Sequence, residues 1–263
     1  MEHVHSIILI KRGDKYLNYF DERWGMYLFP NIKGNDIEEI KNKYNERNRD
    51  MMKQIPYGLT DFARIQKDNY YYVDKTMFIE RIEMQPAYLF LIRPRRFGKS
   101  LTLAMLEAYY DVVYANDFDE LFGHLYIGQH PTPKHNRYLI MRFNFSEVSS
   151  NVNEVERSFK LHCCSKLRDF VFKYEDLLGK EIWDVLDEEI QQDPGAFLSA
   201  INSYASRKGN LPIYLLIDEY DNFTNTILST YGTEYYQKAT HGEGFVRGFF
   251  NVIKAATTGT GSA

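Results

Sequence analysis

The sequence predicts an α/β fold in which a mostly parallel sheet is flanked by helices. Three observations carry this. Three short apolar runs, AYLFLI (87–92), YLIMRFNF (138–145) and PIYLLID (212–218), have the length and texture of buried strands. Long stretches of helical text separate them. Strands alternating with helices are the pattern of βαβ units.

Composition supports a globular reading. The chain has 263 residues, enough for one large domain or two small ones. Hydrophobic residues at 44% and aromatics at 16% can build a sizeable core. A net charge of -4 gives no general electrostatic reason to bind nucleic acid, so any such contact must come from a local basic patch. No apolar run approaches the roughly 18 residues of a membrane-spanning helix. The opening MEHVHSIILIKRGDKY lacks a basic n-region, so no signal peptide is read. The only cysteines, Cys163 and Cys164, are adjacent. That excludes a disulfide framework, fits a reducing cytoplasm, and points to plain buried thiols.

Along the chain, residues 5–10 and 15–20 flank the turn Lys11-Arg12-Gly13-Asp14 and read as a β-hairpin. A short extended piece over 26–29 ends at Pro30. Residues 36–50 are highly charged, with Ile37 and Ile40 as a thin apolar stripe, and form an exposed helix or a linker. A different text begins at Met51-Met52. It turns at Pro56-Tyr57-Gly58, and Thr60 is the expected N-cap of a helix over 61–66. A second helix should begin near Asp74 or Lys75. The run 87–92, between Pro86 and Pro94, is the expected central strand. Helices are expected over 152–173, near 180–190, over 195–207, from about Tyr220, and over 245–256. No internal repeat or low-complexity tract is present.

Residues 93–100, RPRRFGKS, join the first of these strands to helical text. A phosphate-cradling loop reads G-x-x-x-x-G-K-[ST] between a strand and a helix. Here Gly98, Lys99 and Ser100 fill its last three positions and Arg93 stands at the first. Gly98 would let the backbone approach phosphate closely. The following helix would aim its N-terminal amides at the anion. Lys99 would reach the β- and γ-phosphates and Ser100 would ligate Mg²⁺. Phe97 and Leu101 complete the loop. Arg95 and Arg96 could touch phosphates or a nucleic-acid backbone; a solvated basic loop is the competing reading. A GKS tripeptide alone is a weak signal.

The strand at 212–218 ends in Asp218-Glu219, and open α/β sheets bind ligands at the C-terminal ends of their strands. Asp218 would hold Mg²⁺ directly or through water. Glu219 would polarise the attacking water as general base, with Lys99 as its catalytic partner at the phosphates. A strand running into the polar turn DEYDN is the bland alternative. The two motifs together make that alternative much weaker.

At this point the sequence resembles the predicted AAA-ATPase-like proteins, P-loop ATPases often fused to a PD-(D/E)XK-type nuclease. The marks are IPYGLTDF (55–62), YYVDKTMFI (71–79), LIRPRRFGKSL (91–101), LEAYYD (106–111), LFGHLYIG (121–128), FNFS (143–146) and LLIDEYDNFTN (215–225). The likeness runs from about Lys53 to the end, about four-fifths of the chain. In that family Arg93 is the normal residue of the loop. The resemblance implies an additional-strand catalytic-E P-loop fold over residues 51–263, with Walker A and Walker B elements and ATP and Mg²⁺ as ligands. It carries over Lys99, Ser100, Asp218 and Glu219. It also suggests that IPYGLTDF and YYVDKT lie near the base and ribose, where Tyr57 could stack on adenine. Packing in the core is the favoured reading of Tyr57.

Two departures qualify the resemblance. Residues 1–50 look instead like the opening of a Nudix-like domain followed by a charged linker. No Nudix box follows, so no Nudix hydrolysis is expected. The chain also ends at KAATTGTGSA, where the family continues into a sensor strand, a further strand and often the nuclease. A missing sensor strand would leave the strands at 87–92 and 212–218 without a normal shared sheet. The leading expectation is therefore a cytoplasmic module that binds Mg-ATP with weak or absent hydrolysis. The alternatives are a nucleotide-gated regulatory or interaction module of a bacterial defence or DNA-processing system, with nucleic acid or a nuclease as partner, and a truncated product without independent function. An oligomer is compatible with each, and a membrane location with none.

Overall fold

A computed structural model of the chain describes residues 7–12, 15–22, 25–26, 53–85, 88–92, 97–148, 151, 154–209, 212–242 and 244–259. The chain divides into two compact units, Met1–Gln54 and Ile55–Ala263.

In the first unit, β1 (Ile7–Arg12) and β2 (Lys15–Glu22) pair antiparallel, with Ile7 opposite Phe20 and Arg12 opposite Lys15. The expected hairpin is present, and its strands run up to Gly13-Asp14. A short β3 (Gly25–Met26) adds to β2. The charged segment 36–50 and Met51-Met52 lie outside the described residues.

The second unit begins with two short helices. α1 (Phe62–Lys67) is capped by Asp61, whose Oδ1 accepts the Arg64 amide at 3.0 Å. The cap thus falls one residue after the expected Thr60. A carboxylate suits this position because the first-turn amides present partial positive charge. α2 (Phe78–Glu83) starts later than its expected onset, because Asp74 and Thr76 form a turn before it. α3 (Lys99–Tyr110) follows Gly98 and ends at Asp111. α4 (Phe118–Phe122) and α5 (Tyr126–Gln129) complete this half.

Next come β4 (Leu139–Asn144) and the long α6 (Val155–Lys173). Val155, Phe159, Cys163 and Leu167, four residues apart, are all fully buried. That spacing lays one apolar stripe along the helix. Cys163 and Cys164 are free, buried thiols within it. The short helices α7 (Glu175–Leu178) and α8 (Ile182–Val185) lead to α9 (Pro194–Gly209). Asp193 Oδ1 accepts the Ala196 amide at 2.7 Å, so proline stands at the first helical position, where its missing N–H costs nothing. β5 (Ile213–Asp218), α10 (Tyr220–Thr240) and α11 (Phe245–Gly259) follow. α10 breaks at Gly232, whose φ of 76° and ψ of 179° are not helical.

β4 and β5 pair in parallel from Leu139–Ile213 to Asn144–Asp218. Alternate residues of a strand face opposite sides. Leu139, Met141 and Phe143 join one core with α6, α9, α10 and α11, packed with Ile213, Leu215 and Ile217. Ile140 and Leu216 face a second core built from α1, α2, α3, α4 and α5. The unit is α/β, a two-strand parallel sheet covered by helices on both faces.

The expected central strand at 87–92 is not a strand. Residues 88–92 take no regular structure, and Phe90 and Ile92 are 83% and 90% exposed. A continuous apolar run becomes a central strand only where a neighbouring strand supplies backbone partners and helices cover it. Among the described residues neither condition holds for this run. Tyr57, expected in the core, is 99% exposed at the tip of the Pro56-Tyr57-Gly58 turn. The turn is closed by the Leu59 amide donating to the Pro56 carbonyl at 3.2 Å, with Gly58 at φ 72°.

Candidate functional site

Gly98 ends the loop in the left-handed region, φ 75° and ψ 28°. Its carbonyl accepts both the amide and the hydroxyl of Thr102, each at 2.9 Å, which starts α3 there. The N-cap residue, Gly98, has no side chain with which to cap the helix. A Cβ built on Gly98 would meet nothing within 4 Å among the described residues. The first-turn amides of an α-helix have no partner within the helix, and they are the groups that receive an anion at a helix start. Lys99 and Ser100 are the first two helical residues, and both are half-buried.

The direction of α3 fixes what this helix start faces. At its far end, the Tyr138 amide donates to the Tyr110 carbonyl at 3.0 Å and the Val112 amide donates to the Tyr138 carbonyl at 3.0 Å. The C-terminus of α3 thus abuts the residue that precedes β4. α3 packs on Ile140 and Leu216 and runs antiparallel to the strands. Its 12 residues span about 18 Å, and a six-residue strand spans about 20 Å. Lys99 and Ser100 therefore lie level with the C-terminal ends of β4 and β5.

Strand parity completes the arrangement. Asp218 shares the face of Leu216, and Asn144 shares the face of Ile140, so both belong to the face that α3 covers. Asp218 is 4% exposed. Its Oδ1 accepts the Glu219 amide at 3.0 Å, and its other oxygen has no hydrogen bond among the described residues. Glu219 adopts φ 57° and ψ 24°, a left-handed conformation unusual for a side chain of this type. Strained residues of this kind concentrate at functional sites.

Asn144 carries a signal that the motif reading passed over. It is the Cα partner of Asp218, and its Oδ1 accepts the Ser146 amide at 3.1 Å. That bond turns the chain off the end of β4 and fixes the carboxamide beside the acidic pair. The Asn-Phe-Ser spelling at the end of an apolar strand is the sequence sign of such a turn.

The other expected site residues divide. Arg93, Arg95 and Arg96 lie outside the described residues. Phe97 is exposed, whereas Leu101 packs against the core on the α3 side. Asp74 and Thr76 are engaged within the protein. Asp74 accepts the Thr76 amide and hydroxyl at 2.8 and 2.7 Å and the Tyr126 amide at 2.7 Å. The Thr76 hydroxyl accepts the Ile127 amide at 3.1 Å. The two side chains clip the N-terminus of α5 to the segment before α2. Among the described residues no cluster of three or more His, Cys, Asp or Glu could hold a metal by itself, and no helix is long and apolar enough to cross a membrane.

The chain is 53% identical over 55 residues to an uncharacterized protein in the vnfD 5'region of Azotobacter chroococcum mcd 1. The match spans 20% of this chain and 11% of that protein. No solved structure matches. The family described as Predicted AAA-ATPase matches residues 56–260, from the exposed Tyr57 turn through Gly98-Lys99-Ser100 and Asp218-Glu219 to the end of α11. By that match, which takes in well over half of its length, the chain belongs to the predicted AAA-ATPase family.

Proposed function

We propose that the chain binds Mg-ATP between the start of α3 and the ends of β4 and β5. The observation that supports this reading is the coincidence of helix direction and strand parity. A glycine-opened helix start is level with a buried carboxylate on the same face of the sheet. Phosphate suits the first: amides and a lysine at a helix N-terminus attract anions. Mg²⁺ suits the second: the Ser100 hydroxyl and the Asp218 carboxylate are hard oxygen donors, the class this ion prefers. The bound metal would neutralise charge on the β- and γ-phosphates. Gly98 and Lys99 would cradle the phosphates, and Glu219 would orient and deprotonate water.

Hydrolysis should be weak or absent. Fast hydrolysis needs the phosphate loop and the acidic pair held in one rigid frame. Residues 88–92, which lead into the loop, are outside the β4–β5 ladder. We take the fold to be of the additional-strand catalytic-E type, and residues 1–50 to be a separate hairpin and linker. A second reading, a regulatory module that docks a partner or nucleic acid, is favoured by the exposed apolar residues Phe90, Ile92 and Phe97 beside the basic loop. Salt-dependent DNA binding would distinguish the two.

Thermal unfolding with and without ligand tests the proposal. Mg-ATP at a hundred times its Kd should raise Tm by about 5–10 °C. Asp218→Ala should lose most of that shift. Equal shifts in both proteins would overturn the assignment of Asp218.

A further inference from the structure

The segment LEAYYD at the C-terminal end of α3 has no part in the proposed ligand set, yet it holds two acids in a partly buried charge network. Glu107 Oε2 meets Arg142 Nη1 on β4 at 2.8 Å. Glu107 Oε1 meets Lys173 Nζ at the end of α6 at 3.3 Å. The same ammonium meets Asp111 Oδ2 at 2.8 Å. Asp111 is fully buried and also accepts the Tyr174 hydroxyl at 2.9 Å, and that hydroxyl accepts the Ile140 amide of β4 at 2.8 Å. Two acids face two bases, so the network is neutral as a whole. Burial works against the Lys173 charge, but Asp111 and Glu107 outweigh it and raise its pKa.

The positions of these residues give the network a direction. Ser100, Glu107 and Asp111 are separated by seven and four residues, about two turns and one turn, so they form one stripe along α3. Arg142 lies two residues before Asn144, and its ladder partner Leu216 lies two residues before Asp218. The Glu107–Arg142 bridge is therefore the next polar contact behind the acidic end, on the same face of the sheet and the same stripe of the helix. The hydrophobic attraction that holds α3 to the core is itself non-directional. A charge-assisted pair at 2.8 Å, held at both ends, tolerates little rotation or slide. A rotation of one residue, about 100°, would carry Ser100 off the sheet.

We infer that Glu107 and Arg142, backed by Lys173 and Asp111, are positioning residues that set the rotation and height of α3 so that Ser100 meets Asp218 across a shared metal ion. This inference rests on the nucleotide reading above. It separates two quantities. Binding of metal-free ATP depends on the phosphate loop and the helix start alone. The gain on adding Mg²⁺ depends on the register between α3 and β5.

The test is ATP affinity measured by calorimetry on the full chain, in MgCl₂ and again in EDTA. Arg142→Met should cut the Mg²⁺-dependent gain about tenfold or more while leaving the EDTA affinity within about twofold. Arg142→Lys, which keeps the charge, should restore much of the gain. Glu107→Gln, which keeps size and shape, provides a second variant should Arg142→Met fold poorly, and should cut the gain by about threefold or more. Lowered Tm with an unchanged gain in both neutral variants would overturn the inference and leave the network purely structural. A wild-type chain that binds ATP equally with and without Mg²⁺ would overturn the metal reading itself, and this inference with it.

Discussion

The Asp218 carboxylate accepts the backbone amide of Glu219 at 3.0 Å, and that bond holds Glu219 in the left-handed conformation from which α10 starts. Asp218 ends the strand on the sheet face under α3, and Glu219 is the residue between that strand and α10. A left-handed non-glycine residue costs about 1–2 kcal/mol. Glu219→Gly should relieve that strain. Calorimetric unfolding should give a Tm higher by about 2–4 °C, together with loss of any ATP turnover. A lower Tm would mean that the side chain stabilises the fold more than its backbone strains it.

Gly98 makes the complementary case. Its positive φ is required where the loop enters α3, and a Cβ there would meet nothing within 4 Å among the described residues. Gly98→Ala should cost about 1 kcal/mol in unfolding free energy through the backbone alone, since nothing stands in the way of the methyl group. ATP affinity should fall further than stability does, because the methyl would occupy the cradle. Parallel denaturant titration and ligand titration check both parts. An affinity unchanged by the methyl would remove the cradle from the account.

Local signals in the sequence translated well into local structure. The β1–β2 hairpin, α3 after Gly98-Lys99-Ser100, the long helix expected over 152–173, and the strand ending in Asp218 were all legible, because each is set by periodicity or by a turn residue. Residues 88–92 were not, since apolarity records a preference for burial and not whether a partner strand is there to provide it. Tyr57 failed for the same reason. The clip made by Asp74 and Thr76, and the pairing of Asn144 with Asp218, depend on residues far apart in sequence. Their residue types announce turns, and only the fold says what those turns hold. The Glu107–Arg142 bridge joins positions 35 apart and left no trace in either element's own pattern.

The Asp74 clip predicts an acid-sensitive contribution. Burial pushes the Asp74 carboxyl up, but the Tyr126 and Thr76 amides and the Thr76 hydroxyl outweigh it and hold its pKa below the usual carboxylate range. A carboxyl held low favours folding above its unfolded pKa, and that contribution is lost as pH falls through the folded value. Asp74→Ala should cost about 2 kcal/mol near neutrality, from the lost charge-assisted hydrogen bonds. The difference from wild type should shrink as the medium is acidified below the ordinary carboxylate pKa. Urea midpoints taken across that range check it.

His162 predicts a second pH dependence of a different origin. Its side chain is 8% exposed, its Nε2 has no hydrogen-bond partner among the described residues, and its Nδ1 lies 3.6 Å from Glu147. Burial, aided by the nearby Lys166 charge, lowers its pKa, and Glu147 only partly opposes this. The unfolded chain therefore binds a proton more readily than the folded one. The contribution to stability is full above the ordinary imidazole value of 6.5 and is lost as pH falls from there toward the folded value. His162→Leu should show a flatter stability profile than wild type between about pH 7.5 and pH 5. Parallel profiles would show that the imidazole titrates alike in both states.

The central claim is that Lys99, at the start of α3, holds nucleotide phosphate. The most direct measurement is the equilibrium affinity for Mg-ATP of this chain and of Lys99→Ala, with circular dichroism to establish that both are folded. The account predicts saturable binding by the wild-type chain and a loss of about tenfold or more in the variant, the scale expected when a charge-assisted phosphate contact is removed. Equal affinities in two folded proteins would contradict it.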